Sequence, residues 1–196
     1  MIKTFKKRSV PKSLRPEILM EPQLMKPLHR VNPRTILGSE WWDEKRQEAY
    51  AKKDYHCWAC GVHKSKAPYR KWLEAHESYH IDFEKYRYTL VEIVALCYCC
   101  HNFIHMGRLQ AMYEIGNIKD WEYKFIVNRG NTILKKAGLD KHNAWWLKDG
   151  IYEQFFPEKN RTWRKWHLML EGEKHYSPFR NFDEYVKFMD EENEKK

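Results

Sequence analysis

The sequence predicts an α+β domain organised around a four-cysteine metal knuckle. Three observations carry that prediction. Two Cys-x-x-Cys pairs, Cys57/Cys60 and Cys97/Cys100, are separated by residues 61–96, the short-spaced pairing of a zinc site closed by four thiolates. Between them lie two stretches of apolar alternation, around RKWLEAH and YTLVEIVAL, joined by a polar loop, which reads as a β-hairpin or two short strands. The second cysteine pair opens a segment, Tyr98 to about Leu109, with helical character.

The elements follow in order. Residues 1–38 form a basic, proline-rich arm. Pro11, Pro16, Pro22, Pro27 and Pro33 exclude regular helix over most of it. It reads as an extended arm lying on the body or on nucleic acid, or as a disordered tail. Residues 39–54, SEWWDEKRQEAYAKKD, read as a helix with Ser39 as N-cap and acidic residues in the first turn. Trp42, Ala49 and Tyr50 share one face of it. CWACG forms the first knuckle, with Gly61 allowing its turn. Residues 39–109 thus make the zinc-binding unit, and residues 110–196 a helical and β-hairpin region. In that region GRLQAMYEIGNIKDWEYKFIVNRGNTILKKAGLD reads as two or three short helices punctuated by Gly116, Gly130 and Gly138. WRKWHLMLEGEKHYSPF reads as strand, Glu-Gly turn and strand, and FDEYVKFMDEENEKK as a helix fraying into a charged tail.

Composition narrows the class. Hydrophobic residues make up 42% of the chain, with nine Trp, twelve Tyr and nine Phe, enough to pack a core. The net charge of +9 favours polyanionic partners, nucleic acid first, and the alternative is an incidentally basic surface. No apolar run approaches the ~20 residues that cross a bilayer, so no membrane partner is expected. The start, MIKTFKKRSVPKSLRP, lacks the apolar core of a signal peptide. All five cysteines fall within residues 57–100, which favours reduced, metal-bound thiolates and a cytoplasmic location. Trp121, Trp145, Trp146, Trp163 and Trp166 would build core or a surface for a protein partner.

Within the knuckle, Cys57, Cys60, Cys97 and Cys100 are the expected zinc ligands. Cys99 is either a substitute for Cys100 or a small buried side chain. His101 and His105 stand four apart, so on one helix they project from one face and can meet a common ion. A third histidine would be His76, after the strand-like KWLEA, or His80, which the polar loop would expose.

Together these residues resemble the HNH endonuclease superfamily, in its zinc-stabilised, phage-type form. The resemblance covers roughly residues 40–109. It rests on WW-x-x-x-R-x-x-x-Y, then C-x-x-C-G, then E-x-H-E, then L-V-x-x-V-A-L-C-x-x-C-H-x-x-I-H-x-G. It implies a ββα-metal core, in which two antiparallel strands and a helix surround one divalent ion and zinc staples strand to helix outside the catalytic centre. It implies DNA cleavage by phosphodiester hydrolysis, with Mg²⁺ or Mn²⁺ as cofactor beside Zn²⁺, and host cytoplasm if phage-encoded. His76 would be the general base at the end of the first strand, His105 a metal ligand, and His101 a ligand or orienting group. Three departures stand out. Ala75 occupies the position of a ligand before the base, Glu92 that of the family's middle Asn, and Glu77 a position often apolar. Glu77 or Glu74 would supply the missing carboxylate, or the site is degraded; Glu92 would orient the base. Lys64, Lys66, Arg70, Lys71 and Arg108 are the expected phosphate contacts, or ordinary solvated charge. The alternatives are a catalytically inactive zinc module that binds DNA or inhibits a host protein, and a structural assembly component.

Overall fold

The computed structural model describes residues 14–22, 24–140 and 162–194. Among these the chain is α+β, with one four-stranded sheet and five α-helices. Strands β1 (Leu73–Asp82) and β2 (Arg87–Cys97) form the expected antiparallel hairpin. Its turn is tied by Asp82, whose carboxylate accepts from the Lys85 backbone N–H at 3.0 Å and pairs with Arg87 at 3.1 Å. The strand runs further than its alternation suggested. His76 therefore sits in mid-strand, not at the strand end, and His80 lies on the strand but exposed, as expected. Ser78 pairs with Glu92 and Tyr79 with Leu90, so Val91 is an unpaired bulge residue, 60% exposed. The bulge shifts the alternation of β2, so that Tyr88 and Leu90 share a face with their partners Ile81 and Tyr79 in the second core.

Two further strands join this sheet. β3 (His167–Leu170) and β4 (Glu173–Tyr176) form the hairpin read from HLMLEGEKHY. Glu171 and Gly172 both take positive φ, 50° and 87°, the two-residue turn that matches strand twist. β3 lies parallel beside β2, giving the order β1-β2-β3-β4. Residues beyond 110 therefore complete the sheet of residues 39–109.

Helix α1 (Pro33–Lys52) starts upstream of Ser39. Asn32 caps it, accepting from the Thr35 N–H at 3.0 Å, with Pro33 in the first turn. A break at Gly38, φ 89°, separates this first turn from the segment read as helical. Upstream, the proline-rich arm lies on the body: short 3-10 turns at Pro16–Met20 and Lys26–Leu28 insert Ile18, Leu19, Met25 and Leu28, each at most 1% exposed. Its first 13 residues lie outside the described residues.

Cys97 ends β2 and precedes α2 (Tyr98–Ile104). The single helix expected to Leu109 breaks at His105 (φ −85°, ψ 54°), and α3 (Met106–Glu114) follows. Gly116 and Gly138, both with positive φ, end α3 and α4 as expected. Gly130 does not interrupt: it lies inside α4 (Asp120–Lys136). A Cβ there would stand 2.1 Å from the Phe103 ring, so the missing side chain is what lets α4 approach α2. α5 (Phe182–Glu194) closes the described chain. The first core joins the arm, knuckle, β2, α2 and α4; the second joins the arm, the hairpin turn and β3.

Candidate functional site

The first cluster is sulfur. The Cys57 N–H bonds to the Val62 carbonyl at 2.9 Å and the Gly61 N–H to the Cys57 carbonyl at 2.8 Å, which folds CWACG into a tight knuckle. Gly61 takes φ 72°, and a Cβ there would meet Leu14 at 2.8 Å. The Trp58 N–H bonds to the Ala95 carbonyl at 2.9 Å, docking the knuckle on β2 and bringing it to Cys97 and Cys100. The four ligand sulfurs lie within 4.8 Å of one another, so they could hold a metal such as zinc. Cys60 Sγ and Cys97 Sγ are 3.8 Å apart. Zinc–sulfur bonds of about 2.3 Å give a tetrahedral edge of about 3.8 Å, so the spacing fits. Burial pushes the Cys57 thiol up, and hydrogen bonds from neighbouring cysteines hold Cys60 and Cys97 below the ordinary thiol range. Arg129 adds a cation, Nη2 at 3.7 Å from Cys60 Sγ. Cys99 is outside the four: it is 1% exposed, and burial pushes its thiol up to about 12.

The second cluster is imidazole. β1 turns Glu74, His76 and Ser78 to one face, toward α2. His76, His101 and His105 each offer one nitrogen within 4.8 Å of the others, and ring centroids are 4.6–5.5 Å apart. His76 Nδ1 stands 3.2 Å from His105 Nε2. Two nitrogens bound to one ion at about 2.1 Å are separated by about 3.0–3.4 Å for octahedral to tetrahedral angles, so that distance also fits.

Each of two rings is oriented by a carboxylate. His101 Nδ1 donates to Glu74. Burial pushes His101 below its ordinary value, outweighing the raising effect of Glu74. Burial would raise Glu74, but the contact with His101 and the charges of His101 and Arg108 hold it below the carboxylate range. A neutral ring donating through Nδ1 keeps the Nε2 lone pair for an ion. Glu21 does the same for His76: its Oε2 accepts from Nε2 at 3.2 Å, while its Oε1 accepts from Ser78 Oγ at 2.6 Å. The lone pair of His76 is then on Nδ1, facing His105.

The site differs from the sequence reading at several residues. Glu92 does not orient His76; it pairs with Arg15, whose backbone N–H bonds to the Trp58 carbonyl, and Glu21 stands against His76 instead. Glu21 comes from the proline-rich arm, 55 positions away, and no local pattern marks it. Glu77 does not join the imidazoles but lines a cleft beside them with Glu21, Tyr79, His76 and His105. Of the basic residues, Arg108 is exposed next to the Glu74–His101 pair. Arg70 lies over Trp72 and Tyr98, 5.3 and 5.7 Å from the ring centroids. Lys64 stacks on Tyr55 at 3.8 Å, Lys71 donates to the Ala67 carbonyl at 3.1 Å, and Lys66 is exposed. Trp163 and Trp166 are core, Trp121 is 61% exposed, and Trp145 and Trp146 lie outside the described residues. No helix among the described residues is long and apolar enough to cross a membrane. Comparison with protein-family models, curated proteins and solved structures finds no match to this chain.

Proposed function

We propose that the chain is a metal-dependent nuclease of the HNH type, acting on DNA, with β1, β2 and α2 as its ββα-metal core and zinc at the four cysteines. The observation that carries the proposal is the convergence of His76, His101 and His105, two of them carboxylate-oriented, beside a thiolate set built on the same strand–helix junction. A divalent ion bound there would polarise a phosphodiester and stabilise the charge that develops on it. Three imidazoles suit Mn²⁺ better than Mg²⁺, which takes oxygen ligands.

In this reading His76 serves as a metal ligand rather than as the general base expected from the sequence. One of its nitrogens is engaged by Glu21 and the other faces His105, the disposition of a ligand. Glu21 is held by His76 and Ser78, which leaves Glu77 as the cleft carboxylate to accept a proton from water. Arg108, exposed at the Glu74–His101 pair, would meet a phosphate.

The test is cleavage of supercoiled plasmid and labelled oligonucleotides by zinc-loaded protein with added Mn²⁺. His76→Ala and His101→Ala should each abolish cleavage while retaining stoichiometric zinc by native mass spectrometry. His76→Ala should also weaken Mn²⁺ binding, whereas loss of a base alone would leave it intact. Wild-type protein that binds no Mn²⁺ and cuts no nucleic acid would overturn the proposal. It would leave the reading that Ala75 and the Arg15-paired Glu92 favour, an inactive zinc module that binds DNA or a host protein.

A further inference from the structure

Beside the imidazole cluster the surface carries aromatic rings that the fold does not bury. Trp121 is 61% exposed, Trp72 50%, Phe125 40% and Tyr69 36%. They come from two places in the chain, the segment before β1 and the first turns of α4. They meet around Tyr69, whose ring centroid lies 5.6 Å from Trp121, 5.4 Å from Phe125 and 6.1 Å from the buried Tyr98. Tyr69 holds this position at φ 62°, a left-handed conformation uncommon for a tyrosine. Arg70 bridges the group to Trp72, its guanidinium lying over both Trp72 and Tyr98.

Four large rings left in water on one face are a cost unless a ligand covers them. Their setting argues for which ligand. The chain carries a net +9, and Arg70 and Lys71 are exposed at the same edge. The acidic groups in the patch are partly engaged: Asp120 pairs with Lys124 at 2.8 Å and accepts from the Tyr113 hydroxyl at 3.4 Å. Flat aromatic faces interleaved with cations fit unpaired bases joined by phosphates. A duplex would not serve, because its base faces are covered by their neighbours in the stack. The patch also connects to the imidazoles. Trp72 stands two residues before Glu74 in the chain, and Glu74 accepts from His101. Trp72 and His76 are four residues apart, about 13 Å of strand, a span of about four stacked nucleotides at 3.4 Å each.

We propose that Tyr69, Trp72, Trp121 and Phe125, with Arg70, form a stacking platform for single-stranded nucleic acid that leads into the imidazole site. This rests on the nuclease reading for its purpose, but its measurement does not. Full-length, zinc-loaded protein without added Mn²⁺ is titrated into labelled oligo(dT), oligo(U) and blunt duplex of about 12 units, with fluorescence anisotropy as readout. The wild type should prefer single strands, and the two oligomers separate DNA from RNA. Trp121→Ala and Trp72→Ala should each weaken single-strand binding about tenfold, as loss of one stacked base does, with the salt dependence unchanged because no charge is removed. Trp121→Phe should restore most of the affinity, which excludes misfolding as the cause. Arg70→Ala should flatten the salt dependence as well. Single-strand affinity unaltered by both tryptophan substitutions, or duplex preferred by the wild type, would overturn the proposal and assign the rings to a protein contact. Binding that depends on the rings without any Mn²⁺-dependent cleavage would remove the nuclease reading alone. Cleavage with ring-independent binding would remove the platform alone.

Discussion

The sharpest consequence of the imidazole geometry concerns Glu21. Its carboxylate makes two bonds, 3.2 Å to His76 Nε2 and 2.6 Å to Ser78 Oγ, and both partners are buried, at 5% and 7% exposure. The Ser78 bond fixes the carboxylate, and the carboxylate fixes the His76 proton on Nε2. Glu21→Ala removes that preference, and the ring can then carry its proton on Nδ1, the nitrogen facing His105. Loss of such an orienting partner costs about 10–100-fold in metal affinity, which is about 1.4–2.7 kcal/mol. Isothermal titration of Mn²⁺ into zinc-loaded protein measures it, with mass spectrometry confirming that the four cysteines keep their metal. Glu21→Gln should lie between the two, because its amide oxygen can still accept from His76 while its NH₂ faces Ser78. The reasoning is refuted if Glu21→Ala binds Mn²⁺ as tightly as the wild type, since His76 would then need no carboxylate to present its lone pair.

Three further outcomes follow from the fold. Gly130→Ala should destabilise the protein in denaturant titration, because its Cβ would meet the buried Phe103 ring; an overpacking cost of about 1–3 kcal/mol less the ~1 kcal/mol gain in helix propensity leaves a net loss of up to about 2 kcal/mol, and Phe103→Leu should relieve part of it. Stripping the sulfur site with a strong chelator should lower the melting temperature cooperatively, since the knuckle, β2 and α2 share one core. Stability should decline as pH falls below about 6.5: burial lowers the His29 pKa, so the unfolded chain binds the proton more readily and the stability present above the unfolded value is lost on acidification. His29→Gln, which can still meet the Tyr185 hydroxyl and the Leu24 carbonyl that His29 contacts at 2.7 and 3.2 Å, should flatten that decline in thermal melts.

Much of the clustering of cysteine and histidine donors is legible in the sequence because it depends on local spacing. Cys-x-x-Cys places two sulfurs on one turn, and the hairpin between the two pairs is a matter of alternation and turn residues. The helix opening at Cys97 and the Glu171–Gly172 turn are equally local. Where local signals compete, tertiary packing decides. Gly130 looks like a helix stop but serves close packing, which depends on a partner, Phe103, that no window around it contains. His101 and His105 are spaced for one helix face, yet the backbone breaks at His105 and the two rings still meet.

The sequence by itself determined the thiol and imidazole donors, the α+β class and the positive charge, because these follow from residue identity and short-range periodicity. Only the tertiary structure decided that the proline-rich arm packs into the core, that β3 joins the first hairpin, and that Glu21 rather than Glu92 reaches His76. Such pairings join residues far apart in the chain. Buried apolar area and shared hydrogen bonds select them after the chain has closed its loops, and neither quantity is written in any single stretch of residues.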